Sequence, residues 1–160
     1  MMLHFLGRRY AVCPRTAFDE RYIWLEGEAC HIVTPVTQEE HVQRCVDRWV
    51  EREARVYLTQ RVRALSQETS WHVKRVSFRR QSTIWGSCSS AKNLSLNLHL
   101  IHVDPLLIDY VLIHELAHTV EMNHSRAFWR LVGQYCPEYP QRKRELVRVH
   151  REIKEEANMV

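Results

Sequence analysis

At 160 residues, 45% hydrophobic and 26% charged, the chain has the length and composition of one globular domain able to bury a core of its own. A net charge of +4 permits an acidic partner such as nucleic acid without requiring one. No apolar run reaches the roughly 18 residues of a membrane span. The five cysteines are widely spaced and include no C-x-x-C pair, which argues against a disulfide framework and against a cysteine zinc knuckle. The first dozen residues hold no leader-like apolar stretch, and a cytoplasmic protein is expected.

Residues 3–34 contain four short apolar runs, broken at Gly7, Pro14, Gly27 and Pro35. That spacing predicts an antiparallel β meander over 1–34. Thr37 and Glu40 have the spacing of a capping box. Behind them, Val42, Val46, Trp49, Val50, Tyr57, Val62 and Leu65 recur at helical intervals, so a long amphipathic helix is expected over 37–66. Its opposite face carries Arg44, Arg48, Arg52, Arg55 and Arg63, and reads as a solvated face more readily than as a nucleic-acid surface.

From Trp71 the period changes to two. Val73, Val76 and Phe78 suggest one strand, and residues 83–88 and 94–99 suggest a hairpin about the polar turn 89–93. Lys74, Arg75, Arg79 and Arg80 bracket Phe78 as exposed strand positions or a basic patch. Asp104 and Pro105 give a helix start. The helix they open is apolar on nearly every side to about Met122 and is therefore a buried one. Ser125 can cap the next helix, and a charged helix over about 141–157 follows.

The buried helix carries the chemistry. His114, Glu115 and His118 form H-E-x-x-H, and His124 follows six residues on. Two histidines one turn apart project from the same helical face and can share a metal ion. Glu115 can reach water at that metal without being a ligand. His124 can join only if the chain turns back after about Met122. Ten histidines in 160 residues make a chance H-E-x-x-H roughly a 1 in 20 event, and the third histidine brings this to roughly 1 in 300. The chemistry expected is metal-assisted hydrolysis of an amide bond. Zn2+ is held by His114, His118 and His124, and Glu115 is the general base. Other residues stand near enough in sequence to contribute. Tyr110 is either an oxyanion donor or a core tyrosine. Glu121 is either a carboxylate orienting a ligand ring or a solvated one. Cys88 and His99 either face the metal or belong to strand packing. If 94–99 is an edge strand, an extended peptide can add to it.

These motifs carry a resemblance. Trp85-Gly86-Ser87-Cys88-Ser89-Ser90, Leu94-Ser95-Leu96-Asn97, Asp109-Tyr110-Val111, the H-E-L-A-H run, Asn123-His124-Ser125 and Phe128-Trp129 resemble the YgjP-like family of zinc-dependent hydrolases, related to the WLM and SprT-like metallopeptidases. The resemblance implies an α+β, zincin-like fold in which a small antiparallel sheet packs on a central HExxH helix. It implies His114, His118 and His124 as zinc ligands, Glu115 as general base, and a peptide or protein substrate. Residues 1–160 then read as a single zincin-like metallopeptidase domain, with the meander at 1–34, the long helix at 37–66 and the catalytic core at 71–160. Leu98 and His99 stand where many relatives have an aromatic residue and an arginine. Glu121 stands where metzincins have glycine. A family of rRNA endonucleases has similar histidine spacing but glycine in place of Glu115, so this carboxylate favours a peptidase. A metal-dependent nuclease, a DNA-associated protease and a non-catalytic zinc-binding module are the alternatives.

Overall fold

A computed structural model describes residues 1–18, 21–80 and 83–158, with side chains as far as 153. It is a mixed α+β structure with two small sheets and four α-helices. The first sheet contains β1 (Met2–Phe5), β2 (Arg8–Thr16), β3 (Tyr22–Glu26) and β4 (Ala29–Thr34) in the order β1-β2-β4-β3. It is not the expected meander, because β2 and β4 pair in parallel. The Gly27 turn (φ 57°) returns β4 along β3, and β4 rather than β3 occupies the interior of the sheet. The burial pattern gives the reason. Cys30 and Ile32 on β4 are 0% and 1% exposed, whereas β3 alternates only between half-buried and exposed positions. Pro14 does not stop β2, which continues to Thr16. Pairing with β1 ends at Ala11, so the strand is open on one side at Pro14, where a missing N–H is tolerated.

Helix α1 spans Glu39–Thr69, close to expectation. The capping box is not formed: Gln38 is the N-cap and makes no side-chain bond, and Glu39 and Glu40 meet the helix dipole instead. Val42, Val46, Val50 and Ala54 on α1 pack into a core with the first sheet, and Leu58, Val62 and Leu65 into a second core with the remaining elements. One helical face thus serves two cores. Ser70, in the left-handed conformation (φ 60°), ends the helix, and Thr69 Oγ1 donates to the Leu65 carbonyl at 2.8 Å.

The second sheet contains β5 (Arg75–Arg79), β6 (Gly86–Cys88) and β7 (Asn93–Asn97) in the order β5-β7-β6. The β6–β7 hairpin is present, pairing Gly86 with Leu96 and Cys88 with Leu94. The sheet is nevertheless mixed rather than antiparallel, because β5 and β7 run parallel. Leu94 and Leu96 are 0% and 1% exposed, so β7 takes the centre and β6 an edge. The condition of an edge strand at 94–99 is therefore not met, and the strand expected there ends at Asn97, with residues 98 and 99 in a 3₁₀ segment, Leu98–His102.

Helix α2 (Pro105–Ala117) starts as expected, with Asp104 accepting a bond from the Leu106 N–H at 2.8 Å. It ends at Ala117 and not near Met122. The Thr119 hydroxyl donates to the Leu116 carbonyl at 2.7 Å, and the residues after Ala117 tighten into i→i+3 bonds. The apolar residues beyond this point do not prolong the buried face, since Val120 and Met122 are 54% and 45% exposed. The bidentate bond from Arg61 to Asp109, at 2.9 and 2.8 Å, ties α2 to α1. Gly7 (φ 74°) lets the β1–β2 turn pass the start of α2, where a Cβ would stand 2.9 Å from Asp104 Cα. Helices α3 (Arg126–Tyr135) and α4 (Tyr139–Asn158) complete the chain. No helix among the described residues is long and apolar enough to cross a membrane.

Candidate metal centre

The short end of α2 decides the geometry of the centre. His114 lies on the last turn of the helix and His118 is its C-cap. The non-helical stretch 119–124 then brings the chain back. Ser125 restarts it as α3 by accepting a bond from the Phe128 N–H at 3.3 Å. His124 arrives with its Nε2 3.0 Å from His114 Nε2. The ligand atoms of His114, His118 and His124 all lie within 4.8 Å of one another.

The rings are fixed from behind. His118 Nδ1 is 3.0 Å from the Glu121 carbonyl oxygen, which can only accept, so Nδ1 carries the proton and Nε2 keeps its lone pair. Phe128 is wholly buried and stacks on His118, with centroids 4.5 Å apart at 24°. It meets His114 and His124 edge-on at 4.9 Å. Trp129 packs against His114 at 5.6 Å and His124 at 6.0 Å.

Burial, reinforced by the neighbouring His118, His124 and Lys143, pushes His114 down to about 3. Burial also lowers His118, against the opposing bond to Glu121. Both are therefore neutral near pH 7, which is the metal-binding form of imidazole. Glu115 is 8% exposed, and its carboxylate makes no hydrogen bond or ion pair with another described residue. Burial pushes its carboxyl up to about 7. Gly86 on β6 lies against it, with an ideal Cβ 3.1 Å from Glu115 Cγ.

The remaining candidates fall in different places. Tyr110 is 4% exposed and edge-on to His114 at 6.1 Å. Burial first, then the Cys136, Glu115 and Tyr139 charges, push its hydroxyl up to about 12. It packs as a core tyrosine. Glu121 contributes its main-chain carbonyl and not its carboxylate. Cys88 is half-buried, and its thiol is pushed up by burial and then by the Glu115 charge. It is not one of the clustered ligands. His99 sits in the 3₁₀ segment beside His102, their centroids 5.6 Å apart, and is not part of the histidine cluster. Sequence reasoning assigned Gly86, Phe128 and Trp129 no part in the centre. Only their place in the family motif marked them.

Three convergent imidazoles and a buried carboxylate are the equipment of a metal-dependent hydrolase. The chain carries a metallopeptidase domain and belongs to the YgjP-like family, whose metallopeptidase domain matches residues 2–149. The fold is also similar to the crystal structure of the metallopeptidase zymogen of Pyrococcus abyssi abylysin, with a TM-score of 0.51. That chain is 20% identical, and the alignment covers 56% of this chain and 90% of that one. No curated protein matches the sequence. The family implies a divalent metal, and the three histidines fit one, since their ligand atoms converge and at least one ring is locked in the tautomer that presents Nε2.

Proposed function

We propose that this protein is a zinc-dependent peptidase of zincin type. His114, His118 and His124 hold the metal and Glu115 is the general base. The observation that carries the reading is the buried Glu115 carboxylate, without a partner among the described residues, one residue from the first ligand of a three-histidine cluster. An all-imidazole donor set suits zinc. Zinc, when bound, supplies Lewis acidity toward a peptide carbonyl and toward water.

The chain's own groups do the rest. Glu115 accepts a proton from the attacking water and returns it to the leaving amide nitrogen. Glu121, through its carbonyl, holds the His118 ring in the ligand tautomer. Phe128 and Trp129 wall the histidines and keep water from one side of them. Strand β6 ends the second sheet and passes directly over Glu115. An extended peptide pairing with β6 would lay its backbone beside the base. A carboxylate at position 115 favours this chemistry over a nuclease, and a purely structural metal site has no use for it.

The test compares wild type with Glu115→Gln on a mixed peptide library and on structured RNA, with metal content measured on both proteins. Wild type is expected to hold about one zinc and to cleave peptides, and E115Q to keep the metal while losing at least about 10²-fold in kcat/KM. Cleavage of RNA alone, or an equally active E115Q, overturns the reading.

A further inference from the structure

A second cluster of reactive side chains lies on the other core. His41, Cys45, Arg48 and Arg52 follow one another on α1 at steps of four, three and four, and so share one helical face. Cys45 Sγ stands 3.5 Å from His41 Nε2. It accepts a bond from Arg48 Nη2 at 3.6 Å. The imidazole is positioned from the sheet, because the same Nε2 is 3.1 Å from Oγ1 of Thr34, a β4 residue that is 1% exposed. Cys45 is the one described cysteine hydrogen-bonded to both an imidazole and a guanidinium. Cys30 and Cys136 are buried, Cys13 bonds the Ala11 carbonyl and Cys88 the Ser89 carbonyl.

This thiol lines a cavity of about 290 Å³ between α1 and the β3–β4 hairpin. Ile23, Ile32 and Trp49 contribute apolar surface, and Arg21, Arg48 and Arg52 contribute three guanidiniums. Among the described residues no carboxylate lines it, and the acidic partner of Arg52 among them is Glu53, at 3.4 Å. An apolar wall, several guanidiniums and a nucleophile beside a base select a small anionic molecule with an electrophilic sulfur.

We propose that Cys45 is a modification site for small carboxylate-bearing disulfides of the glutathione type, held by the arginines of this pocket. Cys45 sulfur attacks one sulfur of the disulfide. A new S–S bond forms to the protein, the S–S bond of the reagent breaks, and its electron pair leaves with the departing sulfur. The Cys45 proton passes to His41 Nε2 and from there to the departing thiolate. The protein sulfur rises by one oxidation unit as the departing sulfur falls by one, so no other oxidant is needed. Arg48 holds the negative charge on the sulfur as it develops.

Incubating the full chain with glutathione disulfide, alkylating the remaining thiols and reading each cysteine by mass spectrometry tests this. Cys45 is expected to acquire the mixed disulfide about tenfold faster than Cys13 or Cys88. Arg48→Met and His41→Asn are each expected to slow it about fivefold. An uncharged disulfide such as 2-hydroxyethyl disulfide is expected to lose most of the preference for Cys45. Equal rates at Cys45 and Cys13, or an unchanged Cys45 rate in R48M, overturn the proposal. Equal preference with the uncharged reagent overturns the role of the arginines. Arg48 is exposed on α1, so R48M decides the matter even if H41N perturbs the helix–sheet seam. None of these residues belongs to the histidine cluster, so the outcome is independent of peptidase activity.

Discussion

Replacing Gly86 with alanine tests how closely the β6 edge and the base depend on each other. Gly86 is not a positive-φ residue, so alanine suits its backbone and any effect arises from contact. The added methyl would stand 3.1 Å from Glu115 Cγ, 3.3 Å from Leu96 Cδ2 and 3.4 Å from the Ser95 carbonyl oxygen. Ser95 offers main chain, and Leu96 is 1% exposed in the centre of the sheet. The Glu115 side chain is the neighbour with room to move, and restoring ordinary separation takes about half an ångström. A displacement of about 1 Å at reacting groups costs about 10²-fold, so kcat/KM is expected to fall about tenfold, or about 1.4 kcal/mol of transition-state stabilisation. Crowding should cost about 1 kcal/mol of stability, and the three histidines are untouched. The assay is kcat/KM on a peptide cleaved by wild type, with zinc content and a urea melt on the same preparation. Wild-type kcat/KM in G86A, or loss of the metal, would refute the argument that β6 positions the base.

Phe128→Ala removes a fully buried ring that stacks on His118. It should cost about 3–5 kcal/mol in urea unfolding and weaken zinc retention in a chelator competition, and a neutral result would mean the histidines are held without it. Gly7→Ala forces a side chain into a positive-φ position 2.9 Å from Asp104 Cα, and a loss of about 2 kcal/mol is expected. His102 donates to the His4 carbonyl from Nδ1 at 2.6 Å, and burial holds its ring below the ordinary 6.5. The unfolded chain therefore takes up this proton first, so the group's stabilisation is present above about 6.5 and is lost as pH falls below it. Wild type should lose more stability than His102→Asn between about pH 7.5 and about pH 5.5, read from urea midpoints. Equal losses in the two proteins would remove His102 from the acid response.

What was legible in the sequence was local. The period of Val42, Val46, Val50 and Leu65 gave α1 within a few residues of its observed bounds, and Asp104-Pro105 gave the start of α2. The spacing of His114, His118 and His124 foretold a cluster that the fold brings together, on condition of a chain reversal that residues 119–124 supply between α2 and α3. Pairing partners were not legible. Nothing within β2 or β4 says that they run in parallel, because that depends on which strand buries Cys30 and Ile32 over α1. The end of α2 has no mark in the pattern, because Val120 and Met122 are apolar yet exposed, while the Thr119 hydroxyl that closes the last turn has no periodic signature. The neighbour of Glu115 escaped notice for the same reason, since Gly86 touches it through the absence of a side chain.

The single buried face of α1 has a consequence for how the chain can change length. Val50, Ala54 and Leu58 continue one line of side chains from the first core into the second. Inserting one residue between them would turn everything downstream by about 100° and advance it by about 1.5 Å. The second core would then meet Arg61 where Val62 had been. Inserting four residues, close to a whole turn, would bring the angle back to within about 40° and change mainly the distance. The helix therefore behaves as a shaft that sets the phase between the two cores, and single-residue insertions near its midpoint should be far more damaging than insertions of a full turn.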